Sequence, residues 1–169
     1  MLGRRVGVLE HRFARLPDLR EAGDIAGSRW LSKHVVPPTY IPMKNAIFYS
    51  LAGAFAEEKG SGRIIGGHNK DDGLVFEDTS EEFFVSLQKA LLAGSPRLRR
   101  NGLKIIRPLK DKSKAEVVAL AAGIGVPLEL TWSCHRAGTE HCWRCEGCRR
   151  RVEAFAAAGV DDPLASKKV

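Results

Sequence analysis

Apolar residues recur at helical spacing as Ile47, Phe48, Leu51, Ala52 and Phe55, and Gly60 closes the run. This predicts a helix with Pro42 in its first turn, where a missing N–H costs nothing. Ahead of it, Val35–Pro42 holds three prolines in eight residues and reads as a rigid, irregular connection. Nearer the start the pattern is weak: Val6, Val8 and Leu9 suggest a strand, and Leu16-Pro17-Asp18-Leu19 a turn. After Gly60, the short run Ile64-Ile65 predicts a buried strand, and residues 66–73 a polar loop bounded by glycines. Thr79-x-x-Glu82 has the form of a capping box, and Phe83, Phe84, Leu87 and Leu91 follow as the stripe of a second helix ending near Gly94. An arginine-rich polar loop then leads to a strand over Leu103–Ile106, ended by Pro108. Ser113-x-x-Glu116 caps a third helix carrying Val117, Val118 and Ala121, closed by Gly123 or Gly125. Val152, Phe155 and Ala156 form the stripe of a last helix, with Gly159 as its C-cap. Helices alternating with short aliphatic strands predict an α/β fold with a parallel sheet, whose ligands sit beyond the C-terminal strand ends.

Composition changes this picture little. A chain of 169 residues with 44% hydrophobic and 28% charged residues is ordinary for one globular domain, which excludes a disordered or fibrous protein. No uncharged run exceeds the twelve residues Val117–Leu128, short of the roughly 20 that a spanning helix needs, so no membrane role is expected. The net charge of +7 and isoelectric point near 9.5 suit polyanionic partners without choosing among them. The first residues show no secretory signal, so the expected compartment is the reducing cytoplasm.

The sharpest chemical signal is the spacing C-x7-C-x2-C-x2-C formed by Cys134, Cys142, Cys145 and Cys148. In a reducing compartment clustered cysteines read as metal ligands before disulfides. Four thiolates around one ion describe a closed structural zinc site; an iron–sulfur cluster would use the same ligands, and unpaired structural thiols are the third reading. His135 and His141 flank the ligands and are expected around them or on the surface. The run Arg149-Arg150-Arg151 reads as a solvated face that offsets the negative charge of a four-thiolate zinc site, which weakens its reading as a nucleic-acid contact.

Thr131-Trp132-Ser133-Cys134-His135, the stretch from His141 to Arg151, Ala154-Phe155, Gly159 and Asp162-Pro163 together resemble the C-terminal zinc segment of the 7-cyano-7-deazaguanine synthases. Thr39-Tyr40-Ile41-Pro42-Met43-Lys44-Asn45, Gly67-His68-Asn69-Lys70-Asp71-Asp72 and Lys114-Ala115-Glu116-Val117-Val118 resemble that family's other motifs in the same order. The resemblance implies a Rossmann-like domain of the adenine nucleotide alpha hydrolase type, an ATP pyrophosphatase. Residues 1–130 would be its C-terminal part and residues 131–169 a zinc-binding helical segment packed on it. The implied activity is a carbon–nitrogen ligase of queuosine or archaeosine precursor synthesis. It joins 7-carboxy-7-deazaguanine and ammonia, with ATP and Mg²⁺, through adenylation, amide formation, a second adenylation and dehydration. A homodimer is also implied.

The resemblance further implies that Lys114, at a helix start, faces nucleotide phosphates, its plainer role being an exposed first-turn lysine. His68, Asn69 and Asp71 become candidates for recognising the deazaguanine or orienting ammonia, or else a hydrogen-bonded polar turn. Asp78 and Phe83 become base-edge and stacking contacts, although Phe83 equally starts a core stripe. Tyr40, Lys44 and Asn45 come next, with capping and packing as their plainer roles. No catalytic residue is singled out. Two departures matter. The family's Ser-Gly-Gly-x-Asp-Ser phosphate loop is absent, and Gly66-Gly67, between Ile65 and His68, does not fit it. The chain is therefore expected to be N-terminally truncated and to turn over no ATP alone. Trp143 also stands where the family usually has glycine, which puts the local turn geometry in question. The competing functions are a zinc-stabilised nucleic-acid-binding module and a non-catalytic partner of a full-length synthase. The module would need aromatic residues interleaved with basic ones on one surface, and Phe48, Phe55, Phe83, Phe84 and Phe155 are expected in the core instead.

Overall fold

The computed structural model describes residues 41, 43–74, 76–136 and 138–165. The chain divides into two compact units, Met1–Pro42 and Met43–Val169, and every element below belongs to the second. The strand and turn expected at residues 6–19, the proline-rich connection and the placements of Tyr40 and Pro42 lie outside the described residues.

Helix α1 spans Lys44–Lys59, followed by strand β1 at Arg63–Ile65, helix α2 at Lys70–Gly73 and a 3-10 turn at Glu77–Thr79. Then come α3 at Glu81–Gly94, α4 at Pro96–Arg100, β2 at Lys104–Ile106, α5 at Lys114–Gly123, a 3-10 turn at Leu128–Leu130 and α6 at Glu146–Ala158. β1 and β2 pair in parallel, Arg63 opposite Lys104, Ile64 opposite Ile105 and Ile65 opposite Ile106. The expected α/β alternation and parallel pairing are thus present. Tyr49, Ala56, Ile64, Phe84, Leu98 and Leu103 form the core, with Phe83, Leu87, Leu91, Leu92 and Ile105 packed against it.

Helix ends follow local chemistry. Gly60 takes a left-handed φ of 66° and closes α1 by donating to the carbonyls of Ala56 and Glu57. Ser113 and Glu116 form the expected capping box of α5, and Gly159, at φ 64°, ends α6. No helix among the described residues is long and apolar enough to cross a membrane.

Several expectations are corrected. The loop at 66–73 contains the one-turn helix α2, because the Asn69 side chain accepts from the N–H groups of Asp71 and Asp72 while Asp72 accepts from that of Asn69. Ser80, not Thr79, caps α3, its Oγ accepting from the Phe83 N–H at 3.1 Å; the Thr79 hydroxyl instead donates to the Phe76 carbonyl. The arginine-rich loop holds helix α4, capped by Ser95 and anchored by buried Leu98. Along α1 the buried face is Asn45, Tyr49, Gly53 and Ala56, so Phe48 and Phe55 are exposed rather than core. A Cβ added at Gly53 would lie 3.0 Å from Leu91 Cδ2, and this small residue lets α1 approach α3 on its narrow face. In α6, Val152 and Ala156 are exposed, and the buried face is Cys148, Arg151, Ala154 and Phe155.

Candidate functional site

Two constellations carry chemistry. The first lies where the parallel strands end. The Gly66 N–H donates to the Ile106 carbonyl at 2.9 Å, extending the pairing one residue past β1. A Cβ on Gly66 would fall 1.7 Å from the Tyr49 hydroxyl, so only glycine lets that phenol cross the strand end. His68 follows, half-buried against Tyr49 and Phe84 with ring centroids 5.8 and 5.2 Å away. Burial holds the His68 imidazole below its ordinary pKa, as do the charges of Arg107 and Lys44, against the opposing pull of Asp72 and Asp78. Burial likewise raises the Tyr49 phenol, with the Arg107 charge working against it.

The other candidates on this edge are drawn together by capping. The Lys114 N–H, at the start of α5, donates to Asp71 Oδ2 at 2.8 Å, and Lys114 Nζ pairs with Asp72 at 2.8 Å. The anion favoured at the start of α5 is therefore a carboxylate supplied from α2. Asp78 does the same for α1: its carboxylate accepts from the Asn45 N–H at 3.3 Å and its carbonyl from Asn45 Nδ2 at 3.1 Å. Met43, before α1, has a φ of 58° and no side-chain cap, which is why the distant aspartate serves. Phe83 sits in the core stripe, edge-on to Phe84 at 5.1 Å, the plainer of its two roles. Arg107, directly after β2, is the residue the sequence reading overlooked. Its guanidinium lies 4.3 Å over the Phe84 ring and pairs with Glu81. Its position at a strand end, before a proline, is the signal that could have found it.

The second constellation is the cysteine cluster. The sulfurs of Cys134, Cys142, Cys145 and Cys148 lie within 4.8 Å of one another. Cys142 and Cys148 are 4.0 Å apart, and Cys134 and Cys145 3.9 Å. A tetrahedral ion with bonds of about 2.3 Å to sulfur needs edges of about 3.8 Å. Backbone N–H groups aim at the sulfurs: Arg136 and Cys142 donate to Cys134, His135 to Cys145, and Cys145 to Cys142, at 3.3–3.4 Å. Donors from Arg144 and Cys145 bring the Cys142 thiol down to about 6, whereas burial pushes Cys148 up to about 12. Four soft donors, near-tetrahedral spacing and amides turned toward sulfur fit a four-coordinate metal ion.

The surroundings differ from expectation at one residue of the arginine run. Arg151 is not solvated. It forms a buried pair with Asp162 and donates to the Thr131 hydroxyl at 2.7 Å, while Arg149 and Arg150 share Glu146 on the outer face of α6. His141 is buried between Trp132 and Trp143, and its Nε2 accepts from the Ser133 N–H at 3.1 Å, whereas His135 is exposed. Trp143 takes a left-handed φ of 54°, a backbone region that favours glycine, so the turn geometry questioned in the sequence is strained at this residue. Gly147 is equally constrained, since an added Cβ would lie 2.0 Å from the Ser133 carbonyl and 2.8 Å from His135 Nε2. Gly147→Ala should cost about 1–3 kcal/mol and loosen metal retention, measurable by denaturant titration and metal analysis; an unchanged midpoint would show that the segment around Ser133 gives way freely.

Comparison with known proteins identifies the family. A family model described as queuosine biosynthesis protein QueC matches residues 15–159. The 7-cyano-7-deazaguanine synthase of Thermoplasma acidophilum is 39% identical over 133 residues, covering 79% of this chain and 56% of that protein. The protein of the same name from Aliarcobacter butzleri is 38% identical over 133 residues, or 58% of its length, and that from Methanothrix thermoacetophila 35% over 162 residues, or 69%. The chain thus spans little more than half the length of the first two relatives. A family model matched over most of the chain, with relatives above 30% identity, establishes that this chain belongs to the QueC family of queuosine biosynthesis proteins.

Proposed function

We propose that this chain carries the C-terminal part of a 7-cyano-7-deazaguanine synthase, with the substrate-facing strand ends and a structural zinc site. The observation that carries this reading is the match to synthases of that name across the segment holding both constellations. In the proposed reaction the carboxylate of 7-carboxy-7-deazaguanine attacks the α-phosphorus of Mg-ATP and releases pyrophosphate. Ammonia displaces AMP to give the amide. The amide oxygen attacks the α-phosphorus of a second ATP, releasing pyrophosphate and a proton from nitrogen, and loss of AMP with the remaining N–H proton leaves the nitrile.

Lys114, whose ammonium Asp72 holds at the start of α5, is assigned to the ATP phosphates. His68, Asn69, Asp71 and Asp78 are assigned to the deazaguanine, and Phe83 to seating the aromatic cluster beneath it. Asn69 Nδ2 and Asp71 Oδ1 make no hydrogen bond among the described residues, which leaves a donor and an acceptor for a purine-like edge. Zinc is the ion assigned to Cys134, Cys142, Cys145 and Cys148, where it would fix the turn that launches α6.

The test incubates the zinc-loaded chain with 7-carboxy-7-deazaguanine, ammonium and Mg-ATP, with and without a separately expressed polypeptide bearing a Ser-Gly-Gly-x-Asp-Ser loop. The nitrile is read by mass spectrometry. Product is expected only with the second polypeptide. Product from the chain alone would overturn the division of labour, and no product from the pair would overturn the assignment of the reaction.

A further inference from the structure

Arg107 combines three properties that a merely structural arginine does not need together. It stands at the C-terminal end of β2, beside the Gly66–His68 exit of β1, where ligands of parallel sheets bind. Its side chain is 7% exposed, yet the carboxylate that neutralises it, Glu81, is 61% exposed in the first turn of α3. Lys110 Nζ reaches the same Glu81 oxygen at 3.2 Å, so two cations share one oxygen of one carboxylate. The cluster carries a net positive charge, and hydrogen bonds from both cations hold the Glu81 carboxyl below its usual range. Among the described residues Arg107 makes that single hydrogen bond, so most of its five N–H donors remain for a ligand.

We propose that Arg107, seconded by Lys110, is an oxyanion-binding residue of the strand-end site, and that Glu81 is an exchangeable counter-ion which a substrate carboxylate or phosphate displaces. This inference rests on the function proposed above. A guanidinium lying flat on a ring keeps its orientation when its counter-ion leaves, and its fork matches a carboxylate or phosphate with two parallel hydrogen bonds. Glu81 competes as a tethered anion on a solvent-exposed helix start, where leaving for water costs little. Arg107 lies over Phe84, whose ring also packs against His68, so an oxyanion placed on it sits near a residue assigned to the heterocycle.

Calorimetric titration of the zinc-loaded chain with 7-carboxy-7-deazaguanine, with the nitrile that lacks its charge, and with Mg-ATP tests this. Melting temperature serves as the fold control. Arg107→Met should weaken either the acid or ATP by about 10- to 100-fold while leaving the nitrile nearly unchanged. Loss confined to the acid identifies the carboxylate as the bound group, and loss confined to ATP the phosphate. Arg107→Lys should recover part of the loss, and Glu81→Gln should tighten the same ligand severalfold. The proposal is overturned if both Arg107 variants bind all three ligands like the wild type, if they weaken acid and nitrile equally, or if Glu81→Gln weakens the anion. Should the wild-type chain bind neither acid nor nitrile, the substrate-site reading itself fails, a result separate from any of these.

Discussion

Replacing Cys148 with serine is expected to strip the metal and lower stability by several kcal/mol, a fall of about 10 °C or more in melting temperature for a chain of this size. Cys148 is fully buried on the first turn of α6, and its sulfur lies 4.0 Å from that of Cys142. A serine oxygen is too short and too hard to complete a thiolate tetrahedron, and it would be buried without the ion that satisfied the sulfur. The remaining structure offers little compensation. Among the described residues from Thr131 to Cys145 there is no helix or strand, and many of the hydrogen bonds run from backbone N–H groups to the sulfurs themselves. Structural zinc contributes about 10 kcal/mol or more to small domains, so even partial retention by three thiolates leaves a large deficit. Metal analysis of the same sample separates zinc from an iron–sulfur cluster. Loading should also release protons, because the Cys148 thiol, pushed up to about 12 by burial, must ionise to bind. An unchanged melting temperature after metal loss would show that the cluster packs as thiols.

Much of this was legible in the sequence wherever a local rule acts alone. Ser113 and Glu116 cap α5 because both partners lie within one turn. The four cysteines meet because their spacing closes a compact loop. The alternation of aliphatic strands with helices gave the parallel pair. What the sequence concealed depends on distant partners. Ile47, Phe48 and Phe55 satisfy helical periodicity as well as Tyr49, Gly53 and Ala56 do, and only the close approach of Leu91 to Gly53 decides which face of α1 is buried. Asp78 caps a helix through Asn45, 33 residues earlier, and Asp71 one through Lys114, 43 residues later. A linear reading shows nothing of this second, capping task of the two carboxylates. Arg107 escaped notice although the strand end before Pro108 is predicted, because nothing in the sequence places its guanidinium over Phe84. The Arg149–Arg151 run misled for the opposite reason: three identical residues in sequence occupy two environments, since the third turns inward on α6.

That inward arginine supports the second large effect. Asp162→Asn should destabilise the protein by about 3–5 kcal/mol, the usual cost of leaving one charge of a buried pair uncompensated. Arg151 and Asp162 side chains are each 5% exposed and are joined by two parallel hydrogen bonds of 2.6 and 2.7 Å. Arg151 also donates to the Thr131 hydroxyl and the Leu128 carbonyl and lies over Phe155, so the pair ties α6 to the segment that enters the cysteine cluster. Burial alone would raise the Asp162 pKa, but the Arg151 hydrogen bonds, the Leu164 N–H and the charges of Arg151 and His141 bring it below its ordinary value. A carboxyl depressed in the folded state contributes stability above its unfolded pKa, near 4, and loses that contribution as pH falls through the folded value. The gap between wild type and Asp162→Asn, measured by denaturant unfolding, should therefore be constant near neutrality and narrow below about pH 4. Replacing both residues, Arg151→Met with Asp162→Leu, should recover much of the loss, because an apolar pair removes the stranded charge. A double variant as unstable as the single one would assign the effect to the Thr131 and Leu128 contacts, and a gap that stays constant into acid would show that the carboxylate charge is not what holds α6 to the cluster.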